Sequence, residues 1–236
     1  MKRTILGGAL AASMVTVALV FTVSASATAA TPAPRAPKSL SDIQAAGAKA
    51  TSDRIASLNK DIPKISAHAC ISDGDKSTIL GTLNADLTAM QTLAGQIAAD
   101  TDVTAAAAHY KSIFDNYRVY AVALPQAHYA AAADCITDKA IPALTKAQTK
   151  LTSLLAGKYA SKSTPDIQAK MADLAAQIAT ATSDTNGVAA AALAVTPASY
   201  NADHSALSSA KSSISAANAA VKAARADIKA IVAALK

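Results

Sequence analysis

Aliphatic residues recur every three or four positions along most of the chain, in stripes separated by short polar turns. This is the period of amphipathic helices, not of strands. From about Ser41 to Ala69, Ile55, Leu58, Ile62, Ile65 and Ala69 share one face, and Pro63 inside the stripe predicts a kink. Ser72-Asp73-Gly74-Asp75 reads as a turn, with an Asp placed to cap a second helix from Lys76 to Ala99. The stripe of that helix is Leu80, Leu83, Leu87, Met90, Ala94 and Ile97. Asp100-Thr101-Asp102 ends it and caps a third helix starting near Val103.

The third helix places Tyr110, Ile113, Phe114 and Tyr117 on a common face. The stretch from Arg118 to Pro125 then carries two signals. Its β-branched and aromatic residues suit extended backbone, yet Tyr117, Ala121, Leu124 and His128 continue the helical face. Pro125 disfavours helix at Leu124, so a kink or short break is expected there. A fourth helix follows to about Gly157, with Leu144, Ala147, Leu151 and Leu154 inward and a second kink near Pro142.

Thr164-Pro165-Asp166 is a helix start, with Thr as cap and Pro in the first turn. The stripe Ile167, Met171, Leu174, Ile178, Ala181, Thr185 and Val188 continues from it. Thr196-Pro197 repeats the same start. The last helix carries Leu207, Ala210, Ile214, Ala217, Val221, Ala224, Ile228, Ile231 and Leu235, a strict alternation of three and four. That is a coiled-coil-like seam, and it predicts a long C-terminal helical hairpin. The sum is an all-α fold: an elongated antiparallel bundle of five or six helices over residues 41–236.

Composition strengthens this reading. Of 236 residues, 63 are Ala, only eight are aromatic, and all 16 acidic residues are Asp. Alanine has the highest helix propensity, and strand formers are sparse, which excludes a β-sandwich and disfavours a Rossmann-type sheet. Small side chains also bury little apolar area each, so the core is thin and a covalent tie matters.

The N-terminal segment is built differently. Lys2 and Arg3 precede an uncharged, mostly apolar run from Ile5 to Val23, followed by small residues at Ala27, Ala29 and Ala30. This is the layout of a secretory signal peptide (1–30), with a Pro/Ala-rich leader over 31–40. The expected address is secreted, extracellular or cell-wall associated. Cleavage removes two of the 22 basic residues and leaves a net charge of +4, scattered along the chain. That is too mild and too diffuse for nucleic acid; a cell-wall polymer or another helical protein is the expected partner. The seam of the last hairpin also offers self-association. No second apolar run follows, so no membrane span is expected after cleavage.

Cys70 and Cys135 are the two cysteines. In an exported chain such a pair reads as a disulfide, since redox and metal pairs favour close spacing such as C-x-x-C. It would place the end of the first helix beside the residues after Ala130, and in the chain-entropy picture contribute about 4 kcal/mol.

One segment departs from the Ala-rich background. Tyr110, Phe114, Tyr117, Tyr120 and Tyr129 crowd into a single stretch, accompanied by His109, Arg118 and His128. Two readings compete for it. As core, the rings fill space that Ala leaves, while the Tyr hydroxyls and Arg118 satisfy backbone groups freed at the Pro125 kink. As a site, the same residues form a small-ligand pocket with aromatic walls and an Arg for a carboxylate or phosphate. The four histidines include no H-x-x-x-H pair, so neither a metal set nor any cofactor is indicated. Glu is absent, and there is no G-x-S-x-G and no Gly-rich phosphate loop. A secreted hydrolase ranks below a non-enzymatic structural or binding protein.

The run from Phe114 to Gln126 resembles a pattern, roughly F-x-D-Y-R-V-Y-x-L-V-x-P-Q, of Ala-rich secreted helical proteins of actinobacterial type without assigned function. Asn116 stands where that pattern often has Asp. The resemblance implies an exported helical protein with this segment at its centre, and no activity.

Overall fold

Ser39 opens the first helix by accepting the Asp42 amide at 3.2 Å. From that cap α1 runs Leu40–Ala67, with Pro63 inside it. The computed structural model describes residues 39–236, which lie within one compact unit, Arg35–Lys236. The expected signal segment and the leader up to residue 38 lie outside the described residues. Helix α2 covers Asp73–Ala99 and α3 covers Val103–Ser112. Two π-helical turns follow, Ile113–Tyr117 and Val119–Ala123, separated by Arg118 alone. Helix α4 covers Leu124–Cys135, and a third π turn, Ile136–Ala140, joins it to α5, Ile141–Ala156. Helix α6 is Pro165–Thr185; short helices α7, Val188–Leu193, and α8, Pro197–Ala202, lead into α9, Ser208–Leu235. There is no strand among the described residues, and no helix among them is long and apolar enough to cross a membrane. The expected all-α bundle is the fold, and its long members are α1, α2, α4, α5, α6 and α9.

Two antiparallel pairs carry it. In the first, α1 lies along α2, and Gln44 Nε2 donates to the carbonyls of Ala98 and Asp100 at 3.2 and 3.0 Å. Gly47 permits the close approach: a β-carbon there would sit 2.8 Å from the Ile97 side chain. In the second, α6 lies along α9, and Lys162 Nζ donates to the last carbonyl of α9, Leu235 O, at 2.9 Å. That bond holds a cation at the helix end where the backbone dipole favours one. Helices α4 and α7 bridge the two pairs.

Each pair has its own apolar core. Leu58, Ile79, Leu83, Met90 and Ile113 centre the first, and Leu174, Ala217, Ala224 and Ile231 the second. The predicted α9 stripe is the observed seam; Ile228 alone of its members is partly rather than fully buried. The α2 stripe needs correction. Its buried line is Ile79, Leu83, Asp86, Met90, Leu93 and Ile97, while Leu80 and Leu87 pack at the margin. The helix begins at Asp73, with Ser72 as the cap in place of an Asp, and a carboxyl occupies the centre of the seam. In α5, Leu155 rather than Leu154 is fully buried. The α6 stripe does not run unbroken to Val188: Gly187, at φ +70°, ends the helix and starts α7.

Candidate functional site

The aromatic segment is built around a break in the helix. Arg118 is the one non-glycine residue among those described with a positive φ, 48°. Its carbonyl accepts from three successive amides, Ala121, Val122 and Ala123, at 3.0, 2.7 and 3.4 Å. The wider π register carries the chain into α4, where Pro125 occupies the first turn and its missing N–H needs no partner. Leu124 stays helical despite preceding a proline, so the break sits at Arg118, well before the place that Pro125 alone suggests.

A short element from far along the chain closes this break. Asn201, on α8, donates Nδ2 to the carbonyl of Asp115 at 2.8 Å and accepts from Arg118 Nε at 2.7 Å. The Tyr200 ring lies 5.6 Å from the Arg118 guanidinium, and Asp115 Oδ1 lies 3.9 Å from it. The expectation that Arg118 serves freed backbone groups is corrected here: its side chain bonds a side chain, and Asn201 serves the backbone.

A second arginine takes the place expected of a ligand. Arg54, on α1, is 8% exposed and lies between the rings of Phe114 and Tyr120, 4.7 and 4.8 Å from their centroids. Its Nη1 donates to Ala50 O at 2.8 Å. Burial lowers its pKa, and the nearby Tyr120 and Tyr110 hydroxyls oppose that shift. A guanidinium remains charged under such a shift. Tyr110 stacks edge-on against Phe114 at 5.2 Å, and burial raises its own pKa. The Tyr120 ring is half exposed, and its hydroxyl pairs with Ser57 Oγ at 3.1 Å. Each cation–π contact is worth about 0.5–2 kcal/mol.

The histidines expected near this segment are separate. His109 Nδ1 meets Asp100 Oδ2 at 2.9 Å. His128 Nε2 lies 3.4 Å from Asp61 Oδ2, and Lys64 holds the other oxygen of that carboxylate at 2.7 Å. Tyr129 packs against the second core, and burial raises its pKa, while Tyr117 packs against the first. The eight residues are thus neighbours in sequence that divide among separate local environments.

The cysteine pair forms its own cluster. Cys70 and Cys135 are bonded, with Cα atoms 4.8 Å apart. The bond ties the α1–α2 connection to the C-terminal end of α4, as the sequence predicts. His68 joins them: its Nδ1 lies 3.1 Å from Cys70 Sγ and 3.6 Å from Cys135 Sγ. Beside it, Asp134 accepts the Ser72 amide at the start of α2 at 2.8 Å. Burial raises the pKa of Asp134, and the hydrogen bonds from Ser72 oppose that. The cysteine pairing was legible in the sequence; the placing of the His68 ring against both sulfurs was not.

Three buried polar atoms among the described residues have no hydrogen-bond partner: Arg54 Nε, Asp86 Oδ2 and Gln126 Oε1. Desolvation pushes the Asp86 carboxyl up to about 6. Comparison with known protein families, characterised proteins and solved structures finds no match.

Proposed function

We propose that this chain is an exported, non-enzymatic helical-bundle protein with a structural or binding role outside the cell or at the cell wall. One observation carries the reading. The charged and aromatic groups that would equip the 109–129 segment for a ligand are engaged within the chain: Arg54 between Phe114 and Tyr120, Arg118 on Asn201, His109 on Asp100 and His128 on Asp61. A carrier pocket with aromatic walls and an arginine for an anionic ligand needs that arginine presented to the ligand, and here Arg54 and Arg118 both face neighbours of the same chain. The tripartite pattern of the N-terminal segment supports export, and a disulfide suits an oxidising compartment.

The test is fractionation of cells producing the full chain, with intact-mass measurement of each fraction. The reading expects a chain beginning after Ala27, Ala29 or Ala30 in the medium or the wall fraction. An uncleaved chain confined to the cytoplasm would overturn it.

A further inference from the structure

We propose that His68, Cys70 and Cys135 form a redox-gated metal site: closed while the cysteines are bonded, and on reduction a binding site for a borderline or soft d10 cation of the zinc class. The donor set makes the selection. Two thiolates and one imidazole nitrogen suit zinc-class cations and disfavour magnesium and calcium, which take oxygen.

The geometry fits one half of the site already. With metal–sulfur bonds near 2.3 Å and metal–nitrogen bonds near 2.05 Å, a tetrahedral centre sets its nitrogen about 3.6 Å from each sulfur. His68 Nδ1 lies at 3.1 and 3.6 Å from the two Sγ atoms. The three ligand atoms fall within 4.8 Å of one another. The remaining change is separation of the sulfurs to about 3.8 Å. Both cysteines sit where backbone regularity is already relaxed. Cys70 lies in the α1–α2 connection, and Cys135 is the last residue of α4 before the π turn Ile136–Ala140. Three protein ligands leave a fourth position for water or an incoming group.

The opening step is thiol–disulfide exchange with an external dithiol. Its thiolate attacks Cys70 Sγ, the sulfur of the more exposed residue of the pair (7% against 1%), and Cys135 leaves as a thiolate. The second thiol of the reductant then attacks the mixed disulfide, releasing Cys70 and a cyclic disulfide. Two electrons pass from the dithiol to the cystine, and its two protons pass to the cysteine thiols. Metal binding by the two thiols then releases two protons.

The experiment uses the full chain, reduced with a dithiol under anaerobic conditions and freed of reductant, titrated with Co(II) as the probe and competed with Zn(II). The expected result is one Co(II) per chain with a thiolate-to-metal absorption band, displaced by Zn(II), and no band for the oxidised chain. His68→Ala is expected to weaken Co(II) binding at least tenfold, and Cys70→Ser to reduce the band by about half. Circular dichroism in parallel covers the case in which reduction unfolds the chain: one equivalent of Zn(II) then restores the helical signal. A reduced chain with no such band, binding unaffected by His68→Ala, or an unfolded reduced chain that Zn(II) leaves unfolded would each overturn the proposal.

Discussion

The α1–α2 and α6–α9 pairs solve the same packing problem with different residues. In α6–α9 the seam alternates small and large apolar side chains, Ala210 with Ile214, Ala217 with Val221, Ala224 with Ile228. Both of its helices are regular throughout. In α1–α2 the seam contains Thr51, Arg54 and Asp86, and the chain that follows has π turns, a left-handed arginine and the disulfide. A regular seam needs nothing beyond its own periodicity. The seam with a buried arginine and a buried carboxyl depends on outside support: aromatic rings over Arg54, α8 over the break at Arg118, and a covalent tie at one end. The candidate chemistry gathers in the supported half because rings, arginines and cysteines are the means of support.

Removing the tie tests this contrast most strongly. Opening Cys70–Cys135, which closes a loop of 65 residues, is expected to cost about 4 kcal/mol. In hydrogen exchange, amides of α2 to α4 should speed up well before those of α6 and α9. Uniform acceleration would mean that the two pairs are one cooperative unit with no difference in dependence.

Asp86 gives the next largest effect. Its folded-state pKa, about 6, lies above the ordinary 3.8. The folded chain therefore binds this proton more tightly than the unfolded chain. The carboxyl costs nothing below about pH 4, and stability falls as pH rises through 6. Partial solvation tempers the size, leaving a loss on the order of 2 kcal/mol. Asp86→Asn should flatten that part of a denaturant-midpoint profile between pH 4 and 7. A profile unchanged by the substitution would show that Asp86 is solvated.

Two glycines separate packing from propensity. Gly81 has open space at its β-carbon position, whereas at Gly47 the Ile97 side chain lies 2.8 Å away. Gly81→Ala is expected to stabilise by about 0.5–1 kcal/mol through helix propensity alone. Gly47→Ala is expected to destabilise by about 1 kcal/mol, because Ile97 is fully buried and its displacement outweighs that gain. Equal midpoints for the two variants would refute the close approach of α1 and α2.

The smallest effect isolates backbone strain at the break. Arg118→Ala and Arg118→Gly both lose the bond to Asn201, but only glycine adopts φ 48° without penalty. The glycine variant should be the more stable by about 1 kcal/mol in thermal unfolding.

The regular half was legible in the sequence nearly residue by residue, because periodicity was the only determinant acting there. Thr164-Pro165 and the α9 seam needed no partner to be read. The cysteine pairing was legible because only two cysteines exist. The supported half was readable only in outline. An arginine among apolar positions looks like a surface residue, so Arg54 was not expected inside the aromatic set. Asn201 and Tyr200 meet Arg118 from a distant part of the chain, a juxtaposition that no local pattern encodes. Asp86 was passed over because apolar spacing skips a carboxyl, and that rotated the predicted stripe of α2.

The central claim is that the arginines and rings of this half are consumed in folding. Native mass spectrometry of the protein purified from the cells that produce it or from their medium, followed by denaturation of the same sample, tests it most directly. The account predicts the mass of the disulfide-closed chain, as monomer or self-associated copies, with no small molecule released on denaturation. A co-purifying compound that leaves when the chain unfolds would contradict it and return the aromatic segment to the role of a ligand site.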